Sequence, residues 1–248
     1  MRGTRARSAR SQRGVTLIEL VIAISLLSVL SVAMLLTLRV GLSAMDKADG
    51  KLLANRRVAS VERIVRSQIE NLIPVSATCL PDSEQRPQTI MYFEGQPQSM
   101  RFVSSYSLDE AGRGMPRILE FQVIPGDRGM GVRLVVNELV YSPQLAGATC
   151  TGTERNPDTR EVLPAFRPIQ TGPSSFVLAD KLAYCRLSYR DFDARAGERW
   201  LEHWPQDRWP TAVRIDMAPL VADPARLPLM GVIAPIRVNR QPNVTYSE

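Results

Sequence analysis

Gly14-Val15-Thr16-Leu17-Ile18-Glu19-Leu20 is the stretch from which the fold of this chain is read. Arg2, Arg5, Arg7, Arg10 and Arg13 precede it; no charge follows from Leu20 to Leu38, and Arg39 ends the run. A helix over that run is about 30 Å long, enough to cross the hydrocarbon core of a bilayer. Glu19 is the anomaly, a carboxylate at the mouth of an apolar helix. An ionisable side chain inside a span is disfavoured by roughly 3 kcal/mol and marks a functional partner.

Ordinary targeting segments fit this stretch poorly. A secretory signal peptide has an apolar region of about 7–15 residues and then a small-residue cleavage site. The run here is longer, and Leu42-Ser43-Ala44 makes a poor site. A lipoprotein signal needs a cysteine just after the apolar segment, and the first cysteine is Cys79. A plain single-pass anchor accounts for cytoplasmic arginines, but not for Gly14 or Glu19.

The stretch resembles the type IV pilin-like prepilin signal: a basic leader, Gly, then Phe-Thr-Leu-Ile-Glu opening an apolar helix. Val15 stands where the family has Phe. The resemblance implies that a dedicated prepilin peptidase cuts between Gly14 and Val15 and methylates the new N-terminus on Val15. Residues 1–14 are then a cleaved leader and 15–38 a transmembrane and assembly helix. Glu19 becomes the assembly contact, pairing with the N-terminal amine of a neighbouring subunit. Where the family's major subunits carry a helix-bending proline, this chain has Leu36.

The formal charge of +6 belongs mainly to the leader. Without its five arginines the 31 basic side chains fall to 26, against 25 acidic ones. Net charge therefore gives a nucleic-acid partner no support. The translocated part would meet an oxidising compartment, where disulfides persist. Of the three cysteines, Cys79 and Cys150 read as loop, while Cys185 sits in an alternating strand like a small buried hydrophobe. Cys79–Cys150 is the favoured pair, with the two pairings of Cys185 as alternatives.

Beyond Arg39 the helix continues amphipathically over 39–73. Leu42, Met45, Leu52, Val58, Val61, Val65, Ile69 and Leu72 recur at helical spacing between charged residues. Pro74 is expected to stop it, and Gly41 and Gly50 are its weak points. Strands are expected at Thr89–Phe93, Met100–Ser105, Arg117–Ile124, Val132–Tyr141, Lys181–Phe192, Thr211–Met217 and Val232–Val238. The Pro-rich, polar segments Cys150–Pro173 and Ala222–Pro228 read as long loops. Together these give an α+β fold: a long N-terminal helix packed on an antiparallel sheet, with a globular domain over 74–248.

Little in the chain points to catalysis. His203, between Trp200 and Trp204, is the only histidine and has no nucleophile motif beside it. Asp191 to Glu202 mimics a calcium loop, with Asp191 at position 1, Asp193 at 3 and Glu202 at 12. Arg195 and Ala196 then occupy positions 5 and 6, where a polar ligand and Gly are required. A hairpin turn through Ala196-Gly197 is the better reading, and the three tryptophans are expected to pack on the sheet or helix. No metal or cofactor is expected.

The C-terminal part narrows the resemblance. Phe176-Val177-Leu178-Ala179-Asp180, Cys185 through Tyr189-Arg190-Asp191, Trp200, Trp204-Pro205 and Pro210-Thr211-Ala212-Val213-Arg214-Ile215 follow in that order. This is similar to the J-type minor pseudopilin of type II secretion, where a strand ending in Tyr-x-Asp, a Trp-containing turn and a Pro-x-x-Val-Arg strand succeed one another. It implies a non-enzymatic subunit near the tip of a periplasmic pseudopilus, anchored in the inner membrane, with other minor and major pseudopilins as partners. The alternatives are a minor pilin of a type IV pilus or DNA-uptake filament and, from another class, a membrane-anchored periplasmic enzyme.

Overall fold

The computed structural model describes residues 15–79, 87–155, 162–193, 197–205, 208–221 and 231–237. Gly14 and the leader, the expected loop Ala222–Pro228 and the end of the strand expected at Val232–Val238 lie outside the described residues. The architecture is α+β: a long helix, then a chiefly antiparallel β domain.

Helix α1 runs Leu17–Glu70, 54 residues without a proline. It continues through Gly41 and Gly50, around which there is open space. It stops before Pro74 is reached, because the sheet competes for the backbone. The Ile73 N–H donates to the Val103 carbonyl at 2.8 Å, and Ser105 N–H to Asn71 O at 3.0 Å. Contacts divide the chain into two compact units, Met1–Leu53 and Ala54–Glu248. The first, as described, is helix alone; Leu17–Leu52 is long and apolar enough to cross a membrane.

The second unit begins inside α1. In chain order it adds β1 (Ser76–Cys79), β2 (Gln88–Met91), β3 (Phe93–Gly95), β4 (Ser99–Ser107), β5 (Gly112–Pro125), β6 (Val132–Val140), α2 (Pro143–Ala148), β7 (Cys150–Arg155), β8 (Val162–Phe166), β9 (Phe176–Asp193), β10 (Gly197–Leu201), β11 (Ala212–Pro219) and β12 (Val232–Pro235). The main sheet has the order β12-β11-β9-β6-β5-β4-β3, with β10 added on β9. Its pairings are all antiparallel. Two ribbons, β1-β2 and β7-β8, stand apart from it.

Alternation along β4 and β5 sorts side chains to two faces. Met100, Phe102, Leu119 and Phe121 join Val61, Val65, Ile69 and Leu72 of α1, with Phe93, Tyr189, Trp204 and Trp209, in one buried cluster. On the opposite face Val103 and Ile118 join Tyr92, Ala77 and Ala146 in a second, against which Leu145 and Phe166 pack. A cap layer of the two ribbons and α2 thus covers the β3–β6 part of the sheet. The expected helical stripe is buried only from Val61 onward; Val58 is half-buried, and Leu42, Met45 and Leu52 are exposed.

Several expected boundaries need correction. Cys150–Pro173 carries β7 and β8 rather than a loop throughout. A two-stranded ribbon is all edge, and Pro164 is tolerated there. The strand expected at Thr89–Phe93 breaks at Tyr92, whose N–H donates to Val75 O at 3.0 Å. This sends β2 to the cap and β3 to the main sheet. β9 starts at Phe176, before the expected Lys181, and bends where Lys181 adopts φ 55°. Asp180 Oδ1 accepts the Lys181 N–H at 2.7 Å and holds that bend.

Candidate functional site

The first turn of α1 is built around Thr16 and Glu19. The Thr16 carbonyl accepts the N–H groups of Glu19 at 3.1 Å and Leu20 at 3.2 Å, and its hydroxyl accepts Glu19 N–H at 3.4 Å. Thr-x-x-Glu is the sequence of a capping box, and a carboxylate there complements the positive end of the helix dipole. Thr16 thus caps the helix, and Glu19 lies in the first turn, where its charge suits the dipole. Among the described residues no side chain pairs with its carboxylate.

Everything from Val15 to Leu52 is exposed in the single chain, with Val15 at 73 % and Leu17 at 81 %. The hydroxyls of Ser25, Ser28 and Ser31 donate to the carbonyls of Ile22, Ile24 and Leu27, each at 2.8 Å. Their polarity is satisfied within the helix, so they leave a small-residue face with no hydroxyl in need of a partner. The chemistry available here is that of association: apolar area and one carboxylate.

The cysteines locate the cap layer. Cys79 and Cys150 form a disulfide across a Cα–Cα distance of 5.3 Å, spanning 71 positions. It ties the end of β1 to the start of β7. Cys185 is free and buried, and that burial, with Asp216 nearby, pushes its thiol up to about 12.

Asp191, which suggested ion binding, and the tryptophans after it serve packing. Asp191 is buried, its Oδ1 accepting Arg208 Nε at 2.8 Å and its Oδ2 accepting Arg199 Nε at 2.8 Å. Burial raises its carboxyl, but hydrogen bonds from Arg208 and Arg199 outweigh that and hold it below the ordinary range. A cation at the calcium-like alignment would have to displace both guanidinium groups. The β9–β10 hairpin pairs Asp193 with Gly197, which has φ 77°; Ala196 lies outside the described residues. Trp204 and Trp209 are buried, with Trp204 Nε1 donating to Arg208 O at 2.7 Å. Trp200 is half-buried under the Arg214 guanidinium, 4.6 Å from its ring centre. His203 is exposed. The Tyr189-x-Asp191, Trp204 and Arg208 positions thus form one packed corner, with the Tyr189 hydroxyl donating to Gln96 O at 2.8 Å.

A polar row beneath the cap layer was not anticipated from the sequence. Glu94, Arg101, Glu120 and Asn137 are register partners across β3, β4, β5 and β6. Arg101, 1 % exposed, donates from Nε to Glu120 Oε1 at 2.9 Å, from Nη1 to Glu94 Oε2 at 2.8 Å and from Nη2 to Arg167 O at 2.9 Å. Phe166 covers its guanidinium at 5.2 Å. Asn137 Nδ2 donates to Glu120 Oε2 at 3.1 Å and to Gln170 O at 2.9 Å. The available signal was one charged residue set among apolar neighbours in each of Phe93–Gly95, Met100–Phe102 and Leu119–Phe121.

Comparison with known families finds the prokaryotic N-terminal methylation motif over residues 9–35. No curated protein matches the chain. The motif and the apolar helix that it opens support a type IV pilin-like protein, processed by a prepilin peptidase and assembling with other pilin-like subunits.

Proposed function

We propose that this chain is a minor pseudopilin of the J type, a non-enzymatic structural subunit near the tip of a type II secretion pseudopilus. In this reading it supports filament assembly and the export of folded proteins. The observation that carries it is the methylation motif opening an apolar helix whose side chains, from Val15 to Leu52, are exposed in the single chain. Such a surface is stable in lipid or against other helices, not in water. The order of the Tyr189-x-Asp191, Trp204-Pro205 and Pro210-x-x-Val213-Arg214 segments favours the J type. The β-rich unit lies in the periplasm, where the Cys79–Cys150 disulfide is at home.

Glu19 supplies the specificity of assembly. Once the leader is removed, the Val15 amine and the Glu19 carboxylate are each costly in hydrocarbon and tolerable as a pair. The amine of one subunit meets the carboxylate of the next. The test is co-purification of partner subunits with the membrane-extracted protein. Glu19→Leu should leave processing and membrane insertion intact and lose partner recovery, while Glu19→Asp should be intermediate. Full recovery with Glu19→Leu would remove the carboxylate from assembly, and partners belonging to a type IV pilus would reassign the machinery.

A further inference from the structure

We propose that the Glu94–Arg101–Glu120 cluster takes up one proton on acidification, at Glu94, and that this uptake tightens the cap layer over the sheet. The geometry is two carboxylates sharing one guanidinium, Glu94 at 2.8 Å and Glu120 at 2.9 Å, with Arg101 side-chain exposure of 2 %. One negative charge is therefore in excess where water has little access, the Glu94 side chain being 15 % exposed and that of Glu120 8 %. Burying an uncompensated charge is costly, and protonation removes that cost.

The cover over the cluster comes from the cap. The Phe166 ring lies over Arg101, and the carbonyls of Arg167 and Gln170 accept from Arg101 and Asn137. Lifting the segment from Phe166 to Gln170 would let water reach both carboxylates and return them to ordinary behaviour. The charged groups that act on Glu94 are Arg101 from β4 and Glu120 from β5, while Tyr189 of β9, in the helix-side cluster, feels its charge. Tyr92, beside β3, shares the cluster's field while its hydroxyl pairs with Thr149 Oγ1 at 2.9 Å. Arg167, an exposed residue, meets the cluster through its carbonyl. Burial raises the Glu94 carboxyl above its ordinary 4.5; Arg101 opposes the shift and Glu120 reinforces it. Tyr92, pushed up to about 12 by burial, stays neutral throughout.

The sign follows from linkage. The closed state holds the Glu94 proton more tightly than the open state, so acid favours closure. The added stability is fully present below 4.5 and is lost as pH rises through the higher value of the closed state. Between those limits the opening constant falls up to tenfold per pH unit of acidification. The inference is independent of how α1 assembles.

The experiment is hydrogen exchange on the full processed chain in detergent micelles, at pH 7 and pH 4.5, corrected for intrinsic exchange rates. The amides of Phe166, Arg167, Ile169 and Gln170 should be better protected at the lower pH. Glu94→Gln keeps an acceptor for Arg101 but cannot titrate, and should abolish the pH response. A wild-type chain with equal protection at both pH values overturns the proposal, as does a Glu94→Gln chain that retains the response. Should that variant fail to fold, carboxyl-carbon NMR titration of the wild-type chain decides. A glutamate with a raised midpoint that follows Glu94 supports proton uptake there, and its absence overturns it.

Discussion

Helix α1 up to Leu53 and helix α1 from Ala54 onward have the same backbone conformation but opposite surroundings. In the first stretch Leu20, Ile24, Leu27 and Leu35 are exposed; in the second Val65 and Ile69 are wholly buried against the sheet. Regular structure therefore carries no information about burial. What differs is the distribution of apolar residues, all round from Leu20 to Leu38 in the first stretch and confined to a stripe in the second. A helix apolar on every side has to be solvated by lipid or by other helices. One with a stripe is completed by a single sheet.

That contrast predicts which substitutions the β-rich unit feels, and chemical denaturation of the full chain in detergent is the common measurement. The largest effect belongs to the staple. Cys150→Ala opens a link spanning 71 positions and should lower stability by roughly 4 kcal/mol in the chain-entropy model. An unchanged midpoint would show that the cap layer contributes nothing to the global transition.

Next comes the helix itself. Ile69→Ala removes a fully buried side chain and should cost about 3 kcal/mol. Leu27→Ala, in the exposed stretch, should stay within about 0.5 kcal/mol. Similar losses at both positions would erase the distinction between the two stretches.

A smaller effect is expected at the corner behind Trp204. Asp191→Asn weakens charge-assisted hydrogen bonds to two guanidinium groups and should cost about 2 kcal/mol. Its pH dependence runs opposite to that of Glu94. The folded Asp191 carboxyl lies below its ordinary 3.8, so its contribution is present above that value and is lost as pH falls through the folded one. An acid melt of the variant should therefore lack a destabilising phase seen in the wild-type chain.

The smallest effect on this transition is that of Glu19→Leu, expected to be nil, since its carboxylate pairs with no side chain among the described residues. A shifted midpoint would mean that the first turn of α1 communicates with the sheet. Loss of partner recovery without such a shift separates assembly from folding.

Read alone, the sequence located the apolar run, Val15 and Glu19, the amphipathic continuation and most of the main sheet. These features are periodic or compositional, and each is decided within a few neighbouring residues. It also pointed to Cys79 and Cys150, because their surroundings differ from the strand around Cys185. The capping position of Thr16 was legible there as well, in the Thr-x-x-Glu spacing. Only the tertiary structure decided where α1 ends, since the competing hydrogen bonds come from Val103 and Ser105, far along the chain. It alone revealed the cap ribbons, whose short strands carry no period long enough to detect. The row from Glu94 through Arg101 and Glu120 to Asn137 exists because register sets four distant residues side by side, and register is a property of paired strands that no single strand's sequence contains.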